Sequence, residues 1–222
     1  MYLNRSELQL EHTVKSRLLI LIVLILHLVG VIGFASPYKD WFYQLTPLHL
    51  LTTAILLLLA QRKFDYYILY YVAISFWIGF AAEVIGVNKG WIFGDYTYGR
   101  TLGLKWLNVP LIIGVNWFIL VYSTGIFMSR FHIPDILKAF IGAFILVLID
   151  AVIEPVAIQL DFWHWEGNSI PFTNYVGWYF VGLIQLIVFY MFPFKKTNAL
   201  ALPVLLVQIT FFVILNILLY WL

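Results

Sequence analysis

Seven apolar runs, most of them about 20 residues long, follow one another along this chain and leave no room for a soluble domain. They fall at about residues 18–36, 46–61, 66–87, 108–129, 134–158, 174–193 and 199–222. A membrane-crossing helix needs roughly 20 predominantly apolar residues. The chain is 63% hydrophobic and 11% charged, whereas soluble domains are about half apolar and about a quarter charged. It reads as an all-α integral membrane protein, a bundle of about seven transmembrane helices forming one polytopic domain over residues 1–222. Lys15 and Arg17 precede the first run, which ends in FAS as a signal peptide would. At about 18 residues that run exceeds the usual apolar region of a signal peptide, roughly 7–15, so it reads as a retained span.

Lysine and arginine set the expected orientation. With the amino terminus inside, the inner side holds Arg5, Lys15, Arg17, Arg62, Lys63, Arg130, Lys138, Lys195 and Lys196. The outer side holds only Lys39, Lys89, Arg100 and Lys105. This bias predicts an inside amino terminus and an outside carboxyl terminus. The long connections, 88–107 and 159–173, then share the outer side. They carry Trp91, Phe93, Tyr96, Tyr98 and Trp106, and Phe162, Trp163, Trp165 and Phe172. An interfacial aromatic belt explains single rings, but less well such dense clusters among Gly, Asn and Pro. Trp41, Phe42 and Tyr43 sit in a shorter loop bracketed by Pro37 and Pro47.

Acids interrupt two of the runs. Asp150 and Glu154 stand four apart in LVLIDAVIEPVA, on one helical face; Glu83 lies near the end of SFWIGFAAEVIG. A carboxylate at mid-bilayer costs roughly 2.5–3.5 kcal/mol on insertion scales, so such residues normally mark function. Alternation of spans puts Glu83, Asn116, Asp150 and Glu154 in the same half of the bilayer, whichever side is inside. At 1.5 Å rise per residue, Glu83 and Glu154 sit roughly 6 Å below the boundary, and Asn116 and Asp150 roughly 9–12 Å. His49 and Asn174 join that half, and His27 lies near mid-membrane. Lys138 lies at the opposite end of its span and no other span holds a Lys or Arg, so none offers a counter-ion and the acids are expected to be neutral. A neutral acid beside aromatic rings is a competent general acid; the alternative is a polar pin between helices. Gln185, Gln208 and Asn216 read as interhelical hydrogen-bonding groups, Arg100 and Lys105 as contacts to headgroups or loop backbone.

Several chemistries are excluded or unsupported. The chain has no cysteine, which removes disulfides, thiolate catalysis and iron–sulfur clusters. The last span has no lysine for a retinal Schiff base. His12, His27, His49, His132 and His164 are scattered singly rather than in the clusters of di-iron hydroxylases, so no metal is expected. Three of them with Glu83 or Asp150 could still build a zinc site in space. GDYTYGRTLG lacks the spacing of a phosphate loop, no serine sits in a nucleophile-elbow context, and no basic stripe favours nucleic acid.

A faint internal parallel links the two outer connections. Glu83, Trp91, Pro110 and Asn116-Trp117 in one half resemble Glu154, Trp163 and Trp165, Pro171, Asn174 and Trp178 in the other. Spans three–four and five–six read as distant repeats framing one site.

EVIGVNKGWIFGDYTYG, NVPLIIGVNW, and DAVIEPVAIQLDFWHW followed by IPFTNYVGW together resemble the membrane carotenoid biosynthesis proteins. That group includes the carotenoid 1,2-hydratases acting on γ-carotene in bacteria and on bisanhydrobacterioruberin in haloarchaea; the small membrane lycopene cyclases are more distantly similar. The resemblance covers residues 80–180, with a family-like core over about 66–193. It implies a prokaryotic cell membrane, a long polyene carotenoid substrate, and contact with other enzymes of a carotenoid pathway. It further implies protonation of a terminal trisubstituted double bond to give a tertiary carbocation, with no cofactor. Water captures that cation in a hydratase, and the neighbouring double bond in a cyclase. The expected acids are Glu83, Asp150 and Glu154. The expected substrate pocket is Trp91, Phe93, Tyr96, Asn116, Trp117, Trp163, Trp165, Asn174 and Trp178. Rival readings are a cyclase, a non-catalytic carotenoid carrier and a proton-coupled transporter.

Overall fold

The computed structural model describes residues 5–61 and 65–221; Arg62 and Lys63, two of the cations expected on the inner side, lie outside the described residues. In chain order, α1 (Arg5–Phe34), α2 (Lys39–Gln44), α3 (Thr46–Leu59) and α4 (Tyr66–Lys89) lead into strand β1 (Tyr96–Tyr98). A small hairpin, β2 (Lys105–Trp106) and β3 (Val109–Pro110), precedes α5 (Ile112–Met128) and α6 (Asp135–Gln159). Strand β4 (Trp163–Trp165) and a 3-10 turn (Glu166–Asn168) lead to α7 (Phe172–Met191) and α8 (Ala201–Trp221).

This is a membrane protein. Among the described residues five helices are long and apolar enough to cross a bilayer: α1 over Thr13–Phe34, α4, α6, α7, and α8 over Ala201–Leu219. α3 and α5 are apolar but shorter, at 14 and 17 residues. Each of the seven coincides with one expected span. The segment around Trp41 differs from the expected loop, being helical as α2, and Pro47 sits in the first turn of α3. A proline there costs nothing because its missing N–H would have no helical partner.

The packing is that of a bundle in lipid. Leu21, Leu28 and Ile32 of α1, Phe144 and Leu148 of α6, and Phe180 and Ile184 of α7 are exposed, as a hydrocarbon solvent allows. Small residues let helices approach closely: Ala139, Gly142 and Ala143 of α6 are buried where α6 packs on α7. Polar groups inside are tied across helices. Ser75 donates to Gln185 at 2.6 Å between α4 and α7, and Asn216 of α8 donates to the Val152 carbonyl at 2.7 Å, near the Pro155 interruption of α6. Far from the acids, Tyr122 donates to Gln61 at 2.5 Å, while Asn198 donates to Tyr122 at 3.0 Å and to the Leu57 carbonyl at 2.8 Å.

The two long connections, 88–107 and 159–173, meet as a ribbon. β1 pairs antiparallel with β4, setting Tyr96 opposite Trp165 and Tyr98 opposite Trp163. Alternation along a strand turns Tyr96 and Tyr98 to one face, and both are buried while Thr97 is exposed. Gly99 makes the close approach possible, since a Cβ there would lie 2.0 Å from the Asp161 carbonyl oxygen. Lys105 donates to the Tyr98 carbonyl at 2.6 Å, the loop-backbone contact expected of it.

Asp161 clamps this ribbon at the surface. It accepts the Arg100 backbone N–H at 2.9 Å and stands 2.6 Å from His164 Nε2. The Arg100 N–H first, and then His164, holds its carboxyl below the usual aspartate range. A lowered folded pKa means that the clamp is intact above the ordinary aspartate range, about 3.9, and fails as pH falls through the lower folded value. Hydrogen exchange at the Arg100 amide is therefore expected to stay slow down to about pH 4 and to gain extra opening below it. Protection lost already near neutrality would contradict the clamp.

Candidate functional site

The acids of α4 and α6 converge beneath the ribbon, and each is met by hydrogen-bond donors rather than by a cation. Glu83 is 5% and Glu154 1% exposed. The hydroxyls of Tyr96 and Tyr98 both donate to Glu83 Oε2, the latter at 2.7 Å, and Trp117 Nε1 of α5 donates to Oε1 at 2.9 Å. Trp163 Nε1 and Trp165 Nε1 donate to Glu154 Oε2 at 3.1 and 2.8 Å. Asn174 Nδ2 of α7 donates to Glu154 Oε1 at 3.1 Å and to Asp150 Oδ2 at 2.7 Å. Asp150 Oδ1 is buried without a partner.

The arrangement is a twofold theme. Each glutamate, five or six residues before the end of its helix, takes two donors from one strand of the ribbon and one from the helix that follows. Between the halves, Trp117 and Trp178 stack with ring centroids 4.2 Å apart and planes 27° from parallel. Burial, and then the neighbouring Glu83, pushes the Tyr96 and Tyr98 hydroxyls well above the usual phenol range. They keep their protons at any ordinary pH.

A cavity of about 20 Å³ lies between the two glutamates, lined by Glu83, Tyr96, Tyr98, Asn116, Glu154 and Asn174 on its polar side. Its apolar walls are Phe93, Ile113 and the faces of Trp163, Trp165 and Trp178. Such a volume holds about one water molecule, given two to four polar partners.

Of the sequence-derived candidates, Glu83, Glu154, Phe93, Tyr96, Asn116, Trp163, Trp165, Asn174 and Trp178 line this cavity. Trp117 stands behind Trp178, and Asp150 behind Asn174. Trp91 is not brought there. Gly90 ends α4 in the left-handed conformation at φ 67°, and Trp91, one residue on, is 78% exposed. Its place in the internal parallel is taken by Tyr96 and Tyr98. Tyr98 was missed as a site residue, although the YTY alternation turns it the same way as Tyr96. His27 and His49 form a pair elsewhere, and His164 faces Asp161 at the surface. Among the described residues no three His, Asp or Glu side chains cluster at metal-binding spacing.

The family of carotenoid biosynthesis proteins matches residues 45–222, a range that contains every group of this cavity. The chain belongs to the carotenoid biosynthesis protein family. Half of this carotenoid biosynthesis protein, 118 residues, is 28% identical to the bisanhydrobacterioruberin hydratase of Haloarcula japonica. The match spans 40% of that hydratase's length. No solved structure matches the chain.

Proposed function

We propose that this protein is a carotenoid-modifying enzyme that adds water across the terminal double bond of an acyclic carotenoid end group. The observation that carries the reading is a water-sized polar cavity held between two buried glutamates that have donors but no cations around them. The named relative, a hydratase, supports it.

The hydrogen-bond inventory divides the roles. Indole N–H groups only donate, so Glu154, facing two indoles and the Asn174 amide, is satisfied as an anion. Glu83 faces two phenols, which accept as well as donate, so it can carry a proton. Glu83 gives that proton to the less substituted carbon of the end group, leaving a tertiary cation on its neighbour. The faces of Trp163, Trp165 and Trp178 stabilise the cation, and Asn116 helps place the water. The water oxygen bonds to the cationic carbon and its proton passes to Glu154. Return of that proton to Glu83 through the tyrosines and the next water closes the cycle, so the net change is one added water. Asp150, with one oxygen unpartnered, is tolerable only uncharged and positions Asn174.

A cyclase would need the same donor but would quench the cation with a neighbouring double bond. The polar lining between the glutamates favours water as the quencher. The cation bias supports an outward-facing site in a cell membrane. Expression in hosts making lycopene, γ-carotene or bisanhydrobacterioruberin, followed by mass spectrometry, tests the reaction. A product heavier by one water is expected in at least one host. A cyclised isomer, or unchanged pigment in all three, would overturn it.

A further inference from the structure

A cavity much larger than the one at the acids lies elsewhere in the bundle. It holds about 230 Å³ between α1, α3 and α8, lined mainly by apolar side chains such as Leu26, Phe34, Phe42, Phe211 and Phe212. Val29, Leu45 and Leu48 flank it and are 47%, 47% and 60% exposed, so its mouth faces the lipid. A third cavity of about 50 Å³ lies between it and the water-sized one. Thr46, Leu50, Phe162, Gln208 and Phe212 line both the large and the middle cavity. Ile113, Asn116 and Trp163 line both the middle cavity and the one between the glutamates. The three therefore share walls in sequence, from the bilayer to the acids.

Two atoms at the first neck point to a ligand. Thr46 Oγ1 and Gln208 Oε1 are buried without a partner, and Gln208 is 5% exposed. Gln185 accepts from Ser75 and Asn216 donates to Val152 across helices; the Gln208 oxygen has no such bond and, unlike the equally unpaired Gln185 Nε2, belongs to a residue that lines both cavities. Buried polar atoms left unpaired in a native protein call for an explanation. A hydrocarbon passing the neck gives them nothing, whereas an alcohol does.

We propose, resting on the hydration reading, that these cavities form one slot that takes the polyene arm from the bilayer through the mouth at Leu45 and Leu48. The acyclic end occupies the middle cavity, beside the water held between the glutamates, the conjugated chain lies in the large cavity, and the remainder extends into lipid. Thr46 and Gln208 receive the new hydroxyl as the hydrated end withdraws. The reaction thus takes substrate and returns product sideways, without passing through water.

The chain's lack of cysteine gives a direct test that does not depend on turnover. Leu45→Cys places one thiol at the mouth, and Leu104→Cys, 76% exposed in the loop before β2, is the control. Purified protein is labelled with N-ethylmaleimide, with and without lycopene or its singly hydrated derivative. Both polyenes are expected to slow labelling of Leu45→Cys at least about fivefold and to leave Leu104→Cys unchanged. In Leu45→Cys carrying Gln208→Leu, the concentration of hydrated lycopene needed for protection is expected to rise about fivefold to tenfold, the size of one hydrogen bond, with lycopene unaffected. Equal labelling with and without polyene overturns the slot, even if pigment hydration is observed in the host. Protection without hydration in any host overturns the reaction and leaves the slot standing. An equal change for both polyenes in Gln208→Leu removes the hydroxyl-receiving role.

Discussion

Replacing Glu83 by glutamine is expected to reduce carotenoid conversion by about 10²-fold to 10⁴-fold, the usual contribution of a positioned general acid. The amide is nearly isosteric and keeps one oxygen for Trp117 Nε1, while its NH2 can donate to the phenols of Tyr96 and Tyr98. The protein should therefore reach the membrane in normal amount and lose only the transferable proton. Glu154→Gln is expected to show a similar loss with lower stability. Its amide cannot offer acceptors to two indoles and the Asn174 amide at once. Asp150→Asn should keep activity within about tenfold of the parent, because Asp150 lies outside the cavity and works through Asn174. Pigment product per unit of folded protein, measured for the three variants, checks the assignment. Full product from Glu83→Gln would refute it, as would equal losses from all three.

Asn174→Leu is expected to have the largest effect on stability. One amide serves Asp150 at 2.7 Å and Glu154 at 3.1 Å, and both acids are almost wholly buried. Each buried acceptor left without its partner costs about 1–3 kcal/mol, and more where it is charged, because it has lost both its solvation and its bond. In detergent that corresponds to a melting temperature lower by roughly 10 °C for a chain of this size. Replacing both members with apolar groups is far gentler than removing one, so Asp150→Leu added to Asn174→Leu should recover part of the loss. A change below about 1 kcal/mol in the single variant, or strict additivity in the double, would mean that the Asn174 bridge is not what holds these helices.

The helices were legible in the sequence because the requirement is crude: a run of apolar residues about as long as the bilayer is thick. The convergence of Glu83, Asp150, Glu154 and Asn174 was legible too, since alternation of antiparallel spans fixes the half of the bilayer each occupies. What the sequence concealed was the ribbon. Strands as short as YTY and WHW carry too few residues for a period to show, and their rings also suit an interfacial belt. Trp91 illustrates the ambiguity. It follows the acid of α4 as Trp163 follows that of α6, yet the left-handed turn at Gly90 leaves it in the open. The slot was hidden for another reason. Thr46 and Gln208 lie 162 positions apart in the numbering, and only the packing of α3 against the bundle makes them neighbours of one cavity.

The central claim is that a carboxyl proton and a water molecule add across one carbon–carbon double bond. Running the conversion in purified membranes with deuterium oxide enriched in oxygen-18 tests it most directly. The account expects a product with one heavy oxygen on the more substituted carbon and one carbon-bound deuterium on its neighbour, both lost in Glu83→Gln. A product carrying deuterium but no oxygen, or oxygen derived from dioxygen instead of water, would contradict it.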